Sequence, residues 1–500
     1  MTLRKVLFAL LAILAFANAF AEVKLPALLS DGMVIQRNLP SHFWGLATPG
    51  ERVTVHFRGE EKSATADALG HWSIYLSPTK AGGPFDATIT AQNTISLHDI
   101  YVGDVWLASG QSNMEFPLER SQNADAEIPL ARFPQIHILE VKKTFAEVAQ
   151  EDISTTGWHP VTPESVRQFS AVAYYFAKSI HAKEKVPIGV IASYWGGTVA
   201  ETWTSNAALA SDPALAPLFA VYGRMMEDRA DSLRREKLEQ AQVAAARAAG
   251  QPIPKVPWHP DPRMWTPSEL FNSMIAPLTP FPIRGVIWYQ GESNSIIARA
   301  PQLYERQFQT LIRDWRTRWD VGDFPFLYVQ ISSFTSTPEE DWPTIREAQR
   351  KSLALRNTGM AVTIDIGDPD DVHPLNKLDV ANRLSLIARA KVYGENVEYS
   401  GPLFRQLTRE SGALRVWFDH VGLGLQSHGG TLTGFEIAGS DGHFHSATAT
   451  IEGASLLVRS DAVADPISVR YGWANSPTCN LFNRDGLPAS PFKATLPSLH

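Results

Sequence analysis

The chain has a single cysteine, Cys479, among its 500 residues, so no disulfide forms within it. Stability must come from core burial, which a chain of this length supplies. It lacks a basic excess: 45 lysines and arginines face 52 acidic residues, for a formal net charge of −7. That balance gives no electrostatic footprint for nucleic acid. It also lacks a His-Glu-x-x-His pair or a Cys/His cluster, so neither a metal site nor a cofactor is expected. There is no internal repeat and no low-complexity tract. After the N-terminal segment, no stretch approaches the roughly eighteen consecutive apolar residues of a membrane span.

What is present begins at that segment. Arg4 and Lys5 precede an apolar run from Val6 to Phe16, and Ala19-Phe20-Ala21 is a small-x-small cleavage site before Glu22. This is the layout of a secretory signal peptide. Residues 1–21 are therefore expected to be removed near Ala21, leaving an exported protein, periplasmic or secreted, with no further anchor. The content of 44% hydrophobic and 19% charged residues is that of a globular chain, and its length implies two or three domains. Fourteen tryptophans fit either a carbohydrate-facing surface or β-rich cores.

From 22 to 100 the pattern alternates with period two, as in Val53-x-Val55-x-Phe57 and Trp72-x-Ile74-x-Leu76, with glycine turns between. A small antiparallel β unit with a structural role is expected. From 101 to 395 short apolar strands alternate with amphipathic helices. The strand candidates are Asp104–Ala108, Ile136–Val141, Ile188–Ser193, Arg284–Tyr289, Phe326–Ile331 and Ala361–Ile364. One helix is read from Tyr304, Phe308, Leu311, Ile312, Trp315 and Trp319, another from Val380, Leu384, Ile387 and Ala388. Such alternation implies an α/β class, a parallel sheet covered on both faces. Within it, 224–258 is a charged, alanine-rich helical insertion on the surface. From 396 to 500 the β pattern returns.

Four segments carry chemistry. Gly110-Gln111-Ser112-Asn113-Met114 follows the strand ending at Ala108, where open α/β sheets place their sites, and puts a hydroxyl there. Asp368-Pro369-Asp370-Asp371-Val372-His373-Pro374 follows the last strand, and histidine is the side chain suited to take a serine proton. Asp370 and Asp371 both stand close enough in sequence to orient that imidazole. Gln290, at the end of the strand before Gly291-Glu292-Ser293-Asn294, carries an amide donor suited to an oxyanion. Trp195-Gly196-Gly197-Thr198 ends a strand in two glycines, which let a backbone N–H approach substrate. Taken singly, each segment also reads as a turn or a surface loop. Together, they supply the parts of one acyl-transfer site.

These blocks, in their order along the chain, resemble the sialate O-acetylesterase family of the SGNH hydrolase superfamily. The resemblance continues through Leu29–Arg37, Gly103–Trp106, Asn272–Leu278 and Asn480–Asn483, so it covers nearly the whole chain after 21. It implies a flavodoxin-like α/β/α domain flanked by N- and C-terminal β-sandwich regions. It further implies metal-independent hydrolysis of sugar acetyl esters through an acyl-enzyme. Carried over, Ser112 is the nucleophile and His373 the base. The Ser112 and Gly197 N–H groups and the Gln290 amide form the oxyanion hole. The acid is Asp370 by superfamily spacing or Asp371 by the Asp-x-His-Pro form. Asn113, Glu292 and Asn294 are expected near substrate. The substrate is then an O-acetylated carbohydrate, either sialic acid or a plant polysaccharide such as xyloglucan or xylan. A non-catalytic glycan-binding protein on the same scaffold is the rival reading, and it predicts missing site residues.

Overall fold

The computed structural model describes residues 22–254 and 261–497. The expected signal peptide, and the part of the insertion from 255 to 258, lie outside the described residues.

Seven strands build the part of the main sheet that carries the site: β1 (Thr94–Gly110), β2 (Phe133–Glu140), β3 (His159–Val161), β4 (Ile188–Tyr194), β5 (Gly285–Tyr289), β6 (Phe326–Val329) and β7 (Thr358–Ala361). Their order is β7-β6-β5-β1-β4-β2-β3, parallel except for the short edge strand β3. The helices that concern the site and its surroundings are α1 (Ser112–Glu115), α2 (Ala171–Glu184), α3 (Ala216–Glu227), α4 (Arg229–Ala248), α5 (Tyr304–Trp319), α6 (Trp342–Lys351) and α7 (Lys377–Lys391).

Side chains of successive strand residues point to opposite faces, and each face has its own core. Trp106, Ala108, Val190, Ala192, Ile287 and Leu327 pack with α2 and α7. Leu107, Ile191, Val286, Trp288, Phe326 and Tyr328 pack with α5 and α6. The periodic residues read for α5 are all buried, as are those read for α7. Helix α5 stops at Asp320, which turns left-handed and donates its N–H to the Arg316 carbonyl. Helix α4 buries no side chain, as its composition leads one to expect of a surface helix.

Two strands depart most from the sequence reading; β2 also starts three residues earlier than read and β6 ends two residues earlier. Instead of five residues from Asp104, β1 has seventeen, running unbroken through residues 100 and 101. Its first half pairs antiparallel with Gly82–Thr90 in the N-terminal unit, and its second half is the centre of the parallel sheet. Strand β7 covers Thr358–Ala361, earlier than the β-branched Ala361–Ile364, because the chain leaves the sheet there and the Thr363 hydroxyl donates to the Gln330 carbonyl.

Beyond Gly394 the chain forms sheets of four, two and four strands around one apolar core containing Leu414, Val416, Leu456, Val469 and Tyr471. Among the described residues no helix is long and apolar enough to cross a membrane.

Candidate active site

Register explains why the motif segments meet. Gly110 at the end of β1 lies level with Tyr194 of β4 on one side and Tyr289 of β5 on the other. The residues that follow each strand therefore emerge at one edge of the sheet. The three ends are laced together: Gln111 N–H donates to the Tyr289 carbonyl (2.9 Å) and Trp195 N–H to the Gly110 carbonyl (3.1 Å). A Cβ on Gly110 would stand 2.1 Å from the Tyr289 oxygen, and its φ is +135°, so only glycine fits.

Ser112 is the first residue of the single-turn α1, which buried Met114 anchors. Its hydroxyl makes no hydrogen bond among the described residues and lines a cavity of about 760 Å³. His373 lines the same cavity, its ring stacked 6.2 Å from Phe116. The Gly196-Gly197 turn closes over Ser112; a Cβ on Gly196 would lie 3.2 Å from that of Ser112. Glu115, one turn after Ser112, accepts the Gly196 N–H at 2.7 Å and pairs with Lys143. The Trp265 indole donates to the Gly197 carbonyl at 2.7 Å. So braced, the turn leaves the Gly197 N–H without a partner among the described residues, and the Ser112 N–H is likewise free.

Of the two aspartates, Asp371 is the one at the histidine. Its Oδ1 accepts the His373 backbone N–H at 2.8 Å and stands 3.5 Å from His373 Nδ1. Asp370 lines the cavity instead, its N–H donating to Asp368. Burial pushes the His373 imidazole pKa below its ordinary value, and the charge of Lys377 adds to that, while Asp371 opposes both.

Three residues expected at the substrate are turned away from it. Gln290 is fully buried, and its amide donates to the Thr198 carbonyl (3.2 Å) and to Asn294 Oδ1 (2.7 Å). The Tyr304 hydroxyl occupies its oxygen, so this amide has no hydrogen left for an oxyanion. Asn294 is buried too, donating to Glu201. Asn113 is a buried bracket: Nδ2 donates to Glu292 Oε1 (2.6 Å) and to the Val372 carbonyl (3.0 Å), and Oδ1 accepts from Lys377. It thus ties the serine helix to the residue just before His373. Glu292 lines the cavity, and its other oxygen is buried without a partner.

Sequence reasoning missed several residues here. Lys377 is wholly buried, with its ammonium 4.7 Å from the Phe116 ring, and burial pushes its pKa down to about 7. One signal was available: it opens α7, where a cation opposes the helix dipole. Gln111 is the one side-chain amide among the described lining residues. Its Oε1 accepts the Ser293 N–H at 3.2 Å, and its Nε2 has no partner among the described residues. The far wall was missed as well. It contains Phe334, Ser336, Glu340 and Trp342, and Asn475 of the C-terminal unit braces it by bonds to Ser336 Oγ (2.6 Å) and to the Trp342 N–H (3.2 Å). Buried Arg346 donates to the carbonyls of Ile331, Ser332, Ala474 and Asn475, joining the two units there. Among the described residues no group of three or more His, Cys, Asp or Glu side chains is placed to hold a metal ion.

The sequence profile of a family described as carbohydrate esterase, sialic acid-specific acetylesterase, matches residues 102–240 and 230–382. The sialate O-acetylesterases of Mus musculus and Homo sapiens are each 32% identical to this chain over 93% of its length, covering 93% and 91% of theirs. The chain belongs to the sialate O-acetylesterase family. The crystal structure of a carbohydrate acetylesterase from Xanthomonas citri superposes with a TM-score of 0.81 at 38% identity, over 95% of this chain and 99% of that one. Like other sialate O-acetylesterase family members, this chain is a carboxylic ester hydrolase that acts on carbohydrates.

Proposed function

We propose that the chain removes acetyl groups from sugar hydroxyls through an acyl-enzyme on Ser112, on a scaffold of the SGNH type. One observation carries this reading: an unbonded serine hydroxyl and an aspartate-faced histidine share a cavity in which two backbone N–H groups remain free. A glycan-binding protein has no need of that combination.

His373 accepts the Ser112 proton as the oxygen attacks the acetyl carbonyl. Asp371 steadies the imidazolium that forms, although its exposure to water makes that support modest. The tetrahedral oxyanion is held by the Ser112 and Gly197 N–H groups. With Gln290 engaged elsewhere, the side-chain donor free to join them is Gln111 Nε2. His373 then protonates the departing sugar oxygen. Water, deprotonated by the same histidine, attacks the acetyl-serine, releasing acetate and restoring Ser112. Keeping the imidazole neutral at ordinary pH serves this cycle, because only the neutral ring accepts a proton.

Ser112→Ala is expected to lower acetate release from O-acetylated sugars by roughly 10⁴-fold or more while the protein stays folded. Retention of most of the activity by the folded variant would sink the mechanism.

A further inference from the structure

Two buried side chains with no part in the chemical steps stand directly behind the oxyanion donors. Trp265 ends the short helical turn Pro262–Trp265 and donates its indole N–H to the Gly197 carbonyl at 2.7 Å. Arg299 lies a few residues beyond the Gly291-Glu292-Ser293-Asn294 block, and its Nη1 donates to the Ser293 carbonyl at 2.6 Å. Each is 6% exposed, and neither lines the cavity. They meet face to face: the Arg299 guanidinium carbon stands 3.4 Å from the centroid of the Trp265 ring. A guanidinium is drawn to the electron-rich face of an indole, and the attraction strengthens away from water.

Each member reaches a different donor. On the Trp265 side is Gly197, with φ +76° and an N–H that has no partner among the described residues. A glycine in that left-handed region has no side chain to fix it, so its orientation depends on bonds to its peptide groups. On the Arg299 side, the Ser293 N–H donates to Gln111 Oε1 at 3.2 Å, and the Gly291 N–H reaches the same oxygen at 3.4 Å. An amide held by its oxygen has the direction of its NH₂ set, and Gln111 Nε2 is the side-chain donor left free. The pair is itself anchored. Asp261 accepts the Arg263 N–H at the head of the Trp265 turn and is gripped by Arg229, the first residue of α4, through Nε and Nη2 at 2.7 Å each.

We propose that Trp265 and Arg299 are a positioning pair: Trp265 fixes the Gly197 N–H through the Gly197 carbonyl, and Arg299 fixes Gln111 Nε2 through Ser293. Donors stabilise an oxyanion fully when their direction is set before the charge forms, and a displacement of about 1 Å costs up to a hundredfold. The inference rests on the acyl-enzyme reading of Ser112 and on Gln111 as a donor.

The test measures kcat and KM for hydrolysis of 4-nitrophenyl acetate by the purified full chain. Trp265→Phe keeps a ring under Arg299 and deletes the N–H; it is expected to lower kcat about tenfold with KM within about twofold. Arg299→Met is expected to lower kcat about tenfold in the unmodified protein. In a Gln111→Ala background it should cost no more than about twofold, because the donor it serves is already gone. Trp265→Phe acts through Gly197 and should keep its tenfold loss in that background. If Arg299→Met does not fold, Arg299→Lys tests the same coupling, with about a threefold loss expected where Gln111 is present and none where it is absent. A loss confined to KM, an unchanged kcat in either single variant, or an unchanged kcat in Gln111→Ala overturns the proposal. So does an Arg299 loss of equal size in both backgrounds, which marks a brace of the fold and no more. Hydrolysis that persists in Ser112→Ala is a different failure, since it removes the acyl-enzyme reading itself.

Discussion

One wall of the Ser112 cavity consists of residues that follow three parallel strands, while the opposite wall is an irregular loop, residues 334–341, running into Trp342 at the start of α6. In the first wall, Gly110, Tyr194 and Tyr289 stand level in the sheet, and the chain after each is bonded to its neighbours within a few residues. The second wall borrows its shape from far away in sequence, through Asn475 and through Arg346 bridging to Ala474. A wall held by a sheet edge presents fixed donors, as the chemical step requires. A wall held by another unit sets the shape of the cavity opposite those donors. Variation in the first should therefore act on kcat, and variation in the second on KM.

Substitutions can break or sharpen this contrast. The largest effect after loss of Ser112 is expected from Gln111→Ala, about 100-fold in kcat with KM little changed, as for removal of an oxyanion donor. A change confined to KM would move Gln111 out of the hole. Next comes Asp371→Asn, expected to lower kcat about tenfold while Asp370→Asn stays within about twofold. Equal losses would show that exposure leaves neither aspartate a distinct role.

Lys377→Met should cost about tenfold in kcat, since its loss loosens the Asn113 bracket. It also carries a signature in pH. Activity rises with pH as His373 loses its proton, and burial together with the Lys377 charge places that limb below the ordinary imidazole value. Arg120 pushes the same way and Asp371 opposes. Removing the ammonium must therefore move the limb to higher pH, whereas Asp371→Asn must move it lower. A limb that stays put in folded Lys377→Met would reduce that lysine to a packing element. The smallest effect belongs to the far wall: Asn475→Ala should raise KM about fivefold and spare kcat, having removed three neutral hydrogen bonds from the loop. A fall in kcat instead would mean that the two walls are coupled.

The strand-end wall was legible because its residues sit in short contiguous blocks, and a block's place at a strand end follows from apolar runs and glycines. Helix α5 was legible for a related reason, its burial repeating with the helical period. Strand β1 was read too short because no turn residue separates its alternating first half from its buried second half. Gln290, Asn113 and Asn294 were read as facing substrate because polar residues in a site block are usually assigned so. In the fold Gln290 donates to Asn294, Asn113 donates to Glu292, and all three are buried.

The sequence by itself determined the class of fold and the strand ends beside the cavity that Ser112 and His373 line, since those depend on local pattern. Only the tertiary structure decided which aspartate stands at His373, which amide remains free, and what the far wall is made of. The physical reason is range. A side chain's direction beyond a strand end depends on partners such as Lys377, 264 residues from Asn113, and no local pattern encodes that meeting.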